Sequence, residues 1–244
     1  MVSSSKKKKG KSSVNYEATK FKSLFHEDHF HMYTRFREVL PEGRIEVNSA
    51  EFALMSEQIT LRKWKRLTRP IQVAGYTLVR EFYANAWVRD EDRNQPLSYS
   101  TFVRGKEINF SPEAIHKVLN LRSKPIPNVA SYHDRKQEND LRLDAVLRDL
   151  CVEEAQWVFH DDGRHHFLRR VDLKPMVRGW YEFVIRSIML TGNGSEVTVE
   201  QVVLVHSIII GEDIQVDEII VEQFYKFINK TGIRTKLPFP GIIQ

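Results

Sequence analysis

The chain has 244 residues, 41% hydrophobic and 11% aromatic, enough to build a core in one large domain or two small ones. Its formal charge of +5 comes from 37 Lys and Arg against 32 Asp and Glu, but Lys6, Lys7, Lys8, Lys9 and Lys11 alone supply that excess, so the remainder is formally neutral. The single cysteine, Cys151, excludes an intramolecular disulfide framework and a cysteine-rich zinc knuckle, and fits a reducing compartment.

The opening MVSSSKKKKGKSS lacks the apolar centre of a secretory signal. It buries too little apolar surface to offset its ordering entropy, which predicts a disordered basic arm over residues 1–15 and a single globular domain over 16–244. Clustered ammonium groups release counterions from a polyanion, so the five lysines are candidate contacts to RNA or DNA phosphate, or a nuclear-import signal; a solubilising tail is the plainer reading. The longest apolar run, VVLVHSIII, is too short to cross a bilayer. The expectation is a soluble nuclear or cytoplasmic protein with no membrane partner.

Helical periodicity spans roughly Tyr16 to Leu40 and stops at Pro41-Glu42-Gly43. TLRKWKRLTRP reads as a second helix, in which Arg62, Lys63, Lys65, Arg66 and Arg69 surround Trp64 without an acid. It admits two readings: phosphate contacts with the indole stacked on a base, or an amphipathic helix with Leu61, Trp64 and Leu67 packed inward and the charges solvated. AGYTLVREFYANAW is a further helix, with Tyr76, Val79, Phe82, Tyr83 and Ala86 at spacings of three and four.

Phe102-Val103 and Ile108-Asn109-Phe110 flank a turn at Gly105 and predict a hairpin. Ser111 then suits an N-cap, Pro112 the first helical position and Glu113 the positive end of the helix dipole, with Phe110 placed to staple onto Ile115. Residues 122–138, rich in Pro, Ser, Asn and charge, read as a surface loop, followed by a helix near Leu141–Cys151. QWVFHDDGRHHFLRR predicts a second hairpin turning at Asp161-Asp162-Gly163, with Trp157 and Phe159 on one side and Phe167 on the other.

In LKPMVRGWYEFVIRSIML, Leu173, Val177, Trp180, Val184 and Ile188 follow helical spacing, which makes Trp180 a core anchor. Thr198 and Gln201 have capping-box spacing before a helix that runs to about Ile210 and Gly211. A last helix near Val216–Lys230 places acids in its first turn and lysines in its last. The fold class expected is mainly α (α+β), a helical domain with one or two small β-hairpins.

Two histidine clusters are candidate metal sites: His26, Asp28, His29 and His31, and, more suited to a nuclease, His160, Asp161, Asp162, His165 and His166. Neither matches an established ligand frame, and Asp-Asp-Gly is ordinary turn chemistry. The sequence contains no phosphate-binding loop, dinucleotide fingerprint or nucleophile elbow, and a lone cysteine ending an apolar helix reads as filler. No catalytic residue and no cofactor is expected. Between Glu196 and Glu222 lie seven acids and no Lys or Arg, so acidic and basic surfaces could pair between copies or simply face solvent.

LVREFYANAW, FVRGKEINFSPEAIHKVLNL, the run from Leu173 to Ile220 and KLPFPGII, in this order, resemble the plant transposon protein domain family of retroelement-derived reading frames, over most of residues 75–243. More distantly, the hairpin and capped helix ending in Leu-x-Leu resemble the plant mobile domain. The resemblance implies an origin and no catalytic residues; no three-carboxylate integrase frame and no reverse transcriptase motif is present. Family members often continue past PFPGIIQ, which leaves open whether the chain is a fragment of a longer reading frame. Together these readings predict a non-enzymatic interaction module, nucleic-acid-associated or self-assembling. The rivals are a metal-dependent nuclease or transposase and a domesticated nuclear adaptor.

Overall fold

The computed structural model describes residues 16–46, 52–69, 75–88, 98–122, 132, 142–230 and 232–243. The lysines of the N-terminal arm and nearly all of the 122–138 stretch lie outside these residues. The elements in chain order are α1 (Leu24–Met32), β1 (Val39–Leu40), α2 (Ala53–Leu61), α3 (Lys65–Thr68), α4 (Tyr76–Ala86), β2 (Ser100–Val103), β3 (Lys106–Asn109), α5 (Pro112–Leu119) and α6 (Leu143–Leu150). After them come β4 (Val158–Phe159), β5 (His165–Arg169), α7 (Pro175–Ser187), β6 (Glu196–Thr198), α8 (Val199–Ile209), α9 (Val216–Ile228), β7 (Leu237–Pro238) and α10 (Pro240–Ile243). The class is mainly α with small sheets, as the periodicity predicts. No helix among the described residues is long and apolar enough to cross a membrane.

Local chemistry explains most of these elements. Arg104 and Gly105 both take positive φ, 50° and 79°, the backbone a tight two-residue turn needs, and so close the β2–β3 hairpin. Ser111 Oγ accepts from Ala114 N at 3.3 Å and starts α5 with Pro112 in its first turn. Gln201 Oε1 accepts from Thr198 N at 3.0 Å in the expected capping box of α8.

Three helices end alike: α2, α5 and α8 each place one residue in the left-handed region, Lys63, Asn120 and Gly211. In each, the next amide reaches back to the carbonyl five residues earlier: Trp64 N to Ile59 O, Leu121 N to His116 O and Glu212 N to Ser207 O. These are Schellman closures, which satisfy carbonyls the helix leaves without partners.

The core joins these pieces. Phe82 of α4, Phe110 after β3 and Phe224 of α9 sit with ring centroids 5.3 to 5.8 Å apart, and Phe239 lies 5.1 Å from Phe224. Each such ring, fully buried, stabilises by about 2 to 3 kcal/mol. Val177, Trp180 and Val184 of α7, with the flanking Leu173 and Ile188, are all buried, as their spacing predicts.

Two chain segments far apart in sequence close the molecule. β1 pairs in parallel with β7, and Arg37, 1% exposed, donates to Thr235 O, Lys230 O and Phe227 O at 2.7 to 3.3 Å. The last two carbonyls lie at and just beyond the C-terminal end of α9, where a helix is short of donors and favours a cation.

Three expectations change. The helix read from Tyr16 to Leu40 is only α1, followed by a 3-10 turn at Thr34–Phe36 and β1, because Arg37 and Val39 turn inward to meet the C-terminal segment. The second hairpin exists, with Gly163 at φ 81°, but β6 adds a third strand through Phe167↔Thr198 and Leu168↔Val197. Trp157 is buried while Phe159 is 52% exposed, so the two do not share one inward side.

Candidate nucleic-acid interface

The segment TLRKWKRLTR is a corner rather than one helix. α2 closes at Arg62, Lys63 takes φ 58°, and α3 begins at Lys65. That reversal sorts the side chains. Trp64 turns inward to 3% exposure and stacks on Phe183, with centroids 5.7 Å apart and planes at 14°. Arg62 is buried too: its Nη1 donates to Glu212 O at 2.8 Å, and its guanidinium lies 5.1 Å from the indole centroid. Burial lowers the Arg62 pKa, opposed by the nearby Asp213 carboxylate. Thus one basic residue of this corner meets the acidic stretch within the same chain.

Lys63, Lys65, Arg66 and Arg69 point the other way and are exposed. Among the described residues none of these four forms an ion pair. Arg66 donates to the Val118 carbonyl. Two inward bonds lock the corner: Ser187 Oγ donates to Leu67 O at 2.8 Å, and Ile45 N donates to Thr68 O at 3.2 Å.

The base-stacking reading of Trp64 is therefore corrected, since both ring faces lie in the core, and Arg62 leaves the set of phosphate contacts because it serves a backbone carbonyl. The alternative is amended as well: Leu61, expected inward, is 58% exposed. Lys6, Lys7, Lys8, Lys9 and Lys11 lie outside the described residues.

Beside Arg66 and Arg69 opens a cleft of about 340 Å³ walled by Leu67, Val118, Leu119 and Ile242. The one carboxylate in its lining among the described residues is Glu42, whose oxygens accept from Gly241 N at 3.0 Å and Ile242 N at 3.1 Å. Burial raises the Glu42 pKa, and the two backbone donors oppose the shift. Nothing in the sequence singled out this cleft, because its lining comes from five separate segments; the only local sign was an acid, Glu42, inside a Pro-Glu-Gly turn.

The metal candidates do not assemble. Among the described residues no three His, Cys, Asp or Glu side chains come together to hold a metal ion. The His160 and His166 rings stack at 3.8 Å, His165 meets Trp157 edge-on at 5.0 Å, and Asp162 pairs with Arg164 at 2.7 Å. Asp161 is a solvent-facing turn residue. In the first cluster, His29 is buried and stacks on Trp87 at 4.0 Å, while His26 Nδ1 lies 2.8 Å from Ser23 Oγ. Cys151 is buried, and its thiol is pushed up to about 11 by burial, with Asp172 adding to the shift, so it is held as the unreactive thiol.

The family model described as "Putative plant retrotransposon-related domain" matches residues 60–244, from the last turn of α2 to the C-terminus. The chain belongs to this family. The match agrees with the resemblance carried by the hairpin, the α7–α8 run and KLPFPGII, and it includes the basic corner but not the N-terminal lysines. As a retrotransposon-related domain, the chain derives from a mobile element. A comparison with curated proteins finds no match, and a comparison with solved structures finds none.

Proposed function

We propose that this retrotransposon-related chain is a non-enzymatic interaction module that associates with nucleic acid by charge, not by reading bases. The observation that carries this is the corner at residues 63–69: four exposed cations within seven residues, with no ion-pair partner among the described residues. Cations without an acidic partner are available to neutralise phosphates, which releases the counterions condensed on the nucleic acid. With Trp64 inside the core, the corner offers no stacking platform and so no preference for sequence. Lys6, Lys7, Lys8, Lys9 and Lys11 extend the same electrostatic contact.

The test is retention of the full chain on single-stranded RNA at low salt. Replacing Lys63, Lys65, Arg66 and Arg69 together by Gln is expected to weaken binding and flatten the plot of log K against log salt by up to about 3, at roughly 0.7 for each phosphate no longer neutralised. Unchanged retention and slope would remove the corner from the interface.

A further inference from the structure

We infer that the cleft beside Arg66 and Arg69 receives the Val152-Glu153-Glu154 turn of a second copy of the chain. This rests on the reading of the folded body as an interaction module and adds a protein partner to it. The chemistry of the cleft selects the occupant. Its walls are aliphatic, with Leu67, Val118, Leu119 and Ile242 and no aromatic ring among the described residues, so these walls give a nucleobase nothing to stack on. Arg66 and Arg69 bring two guanidiniums that no acid pairs among the described residues, and the Glu42 oxygens already accept two backbone amides. What fits is an aliphatic side chain flanked by carboxylates.

The chain presents such a segment on its own surface. Val152 is 42% exposed and is followed by Glu153 and Glu154, both exposed and neither in an ion pair among the described residues. The turn is held in place: Val152 N donates to Asp172 O at 2.9 Å, Ala155 N donates to Val152 O at 3.1 Å, and Cys151 bridges to Leu173. A segment already fixed in its docking shape loses little freedom on binding.

The two surfaces cannot meet within one molecule. The turn is anchored to Asp172 and Leu173 just before α7, and Ser187, in the cleft, is the last residue of that helix. Twelve rises of 1.5 Å along α7 separate its ends by about 18 Å. Donor and acceptor are different patches, so the contact is head-to-tail and each added copy leaves one cleft and one turn open.

Sedimentation of the full, nucleic-acid-free chain at low salt tests this. Wild type is expected to show an average mass that climbs with concentration. Arg66→Gln with Arg69→Gln, and separately Glu153→Gln with Glu154→Gln, should each weaken association at least tenfold. An equimolar mixture of the two variants should form a one-to-one dimer and nothing larger, because a single intact cleft meets a single intact turn. A wild type monomeric at every concentration, assembly indifferent to both variants, or a mixture that stays monomeric would overturn the inference. Val118→Gln with Ile242→Gln makes half of the aliphatic wall polar and leaves every charge: lost assembly with RNA retention intact supports docking, and lost RNA retention with assembly intact overturns it. Lys63→Gln with Lys65→Gln tests phosphate binding alone, since neither residue lines the cleft.

Discussion

His29 lies 4.0 Å from Trp87 with ring planes 8° apart, and it is almost completely buried. Burial, reinforced by the positive charge of Arg37 and by His26, lowers its pKa from 6.5 to about 4. A base whose folded pKa is depressed takes up its proton first in the unfolded chain. Its contribution is therefore complete above pH 6.5 and is lost as pH falls toward 4, by up to about 3 kcal/mol. His29→Phe keeps a ring against Trp87 and has no proton to bind. Urea unfolding at pH 7 and 4.5 should show a smaller loss of stability for the variant than for wild type, by about 2 kcal/mol; equal losses would contradict this account of His29. In sequence His29 was one of several histidines in a polar-looking cluster, and only the packing of α1 against Trp87 separates it from them. Trp64 was ambiguous for a similar reason. A tryptophan among cations has the same local pattern whether it stacks on a base or on Phe183, and the choice is made by the left-handed backbone at Lys63, which no Gly or Asn announces.

At the scale of elements, what was legible is what neighbours in sequence decide. The β2–β3 turn, the Ser111-Pro112 helix start, the Thr198–Gln201 capping box and the buried stripe of α7 all rest on contacts within a few residues. β6 was missed because its partner, β5, lies some thirty residues earlier, and three residues of Glu-Val-Thr carry too short an alternation to show. The pairing of β1 with β7 was hidden for the same reason, and so was Arg37, whose acceptors lie 190 to 198 residues away. Arg37 joins the N-terminal segment to the end of α9, and its burial lowers its own pKa to about 10, so it remains charged at neutral pH. Arg37→Met keeps the apolar stem but leaves three carbonyls without that donor. The expected loss is at least about 3 kcal/mol in equilibrium unfolding. A loss below about 1 kcal/mol would show that water replaces the guanidinium at little cost.

For the whole molecule, charge is arranged more informatively than its total suggests. The N-terminal lysines account for the net excess, yet the formally neutral remainder still exposes a basic corner, because Arg62 turns inward toward Glu212 while Lys63, Lys65, Arg66 and Arg69 stay outside. Composition could not reveal this, since it counts Arg62 and Arg66 alike. The cleft was equally hidden, being assembled from the Pro41-Glu42-Gly43 turn, α3, α5, α7 and the C-terminal turn. Sequence order, by contrast, was enough to point to the family, whose model matches residues 60–244. The most direct measurement is the salt dependence of binding by the full chain to two single-stranded RNAs of equal length, one oligo-uridine and one mixed in sequence. Charge-based association predicts equal affinities and a linear fall of log K with log salt, steeper by about 0.7 for each phosphate held. No binding at low salt, or affinities that differ tenfold or more between the two RNAs, would contradict it.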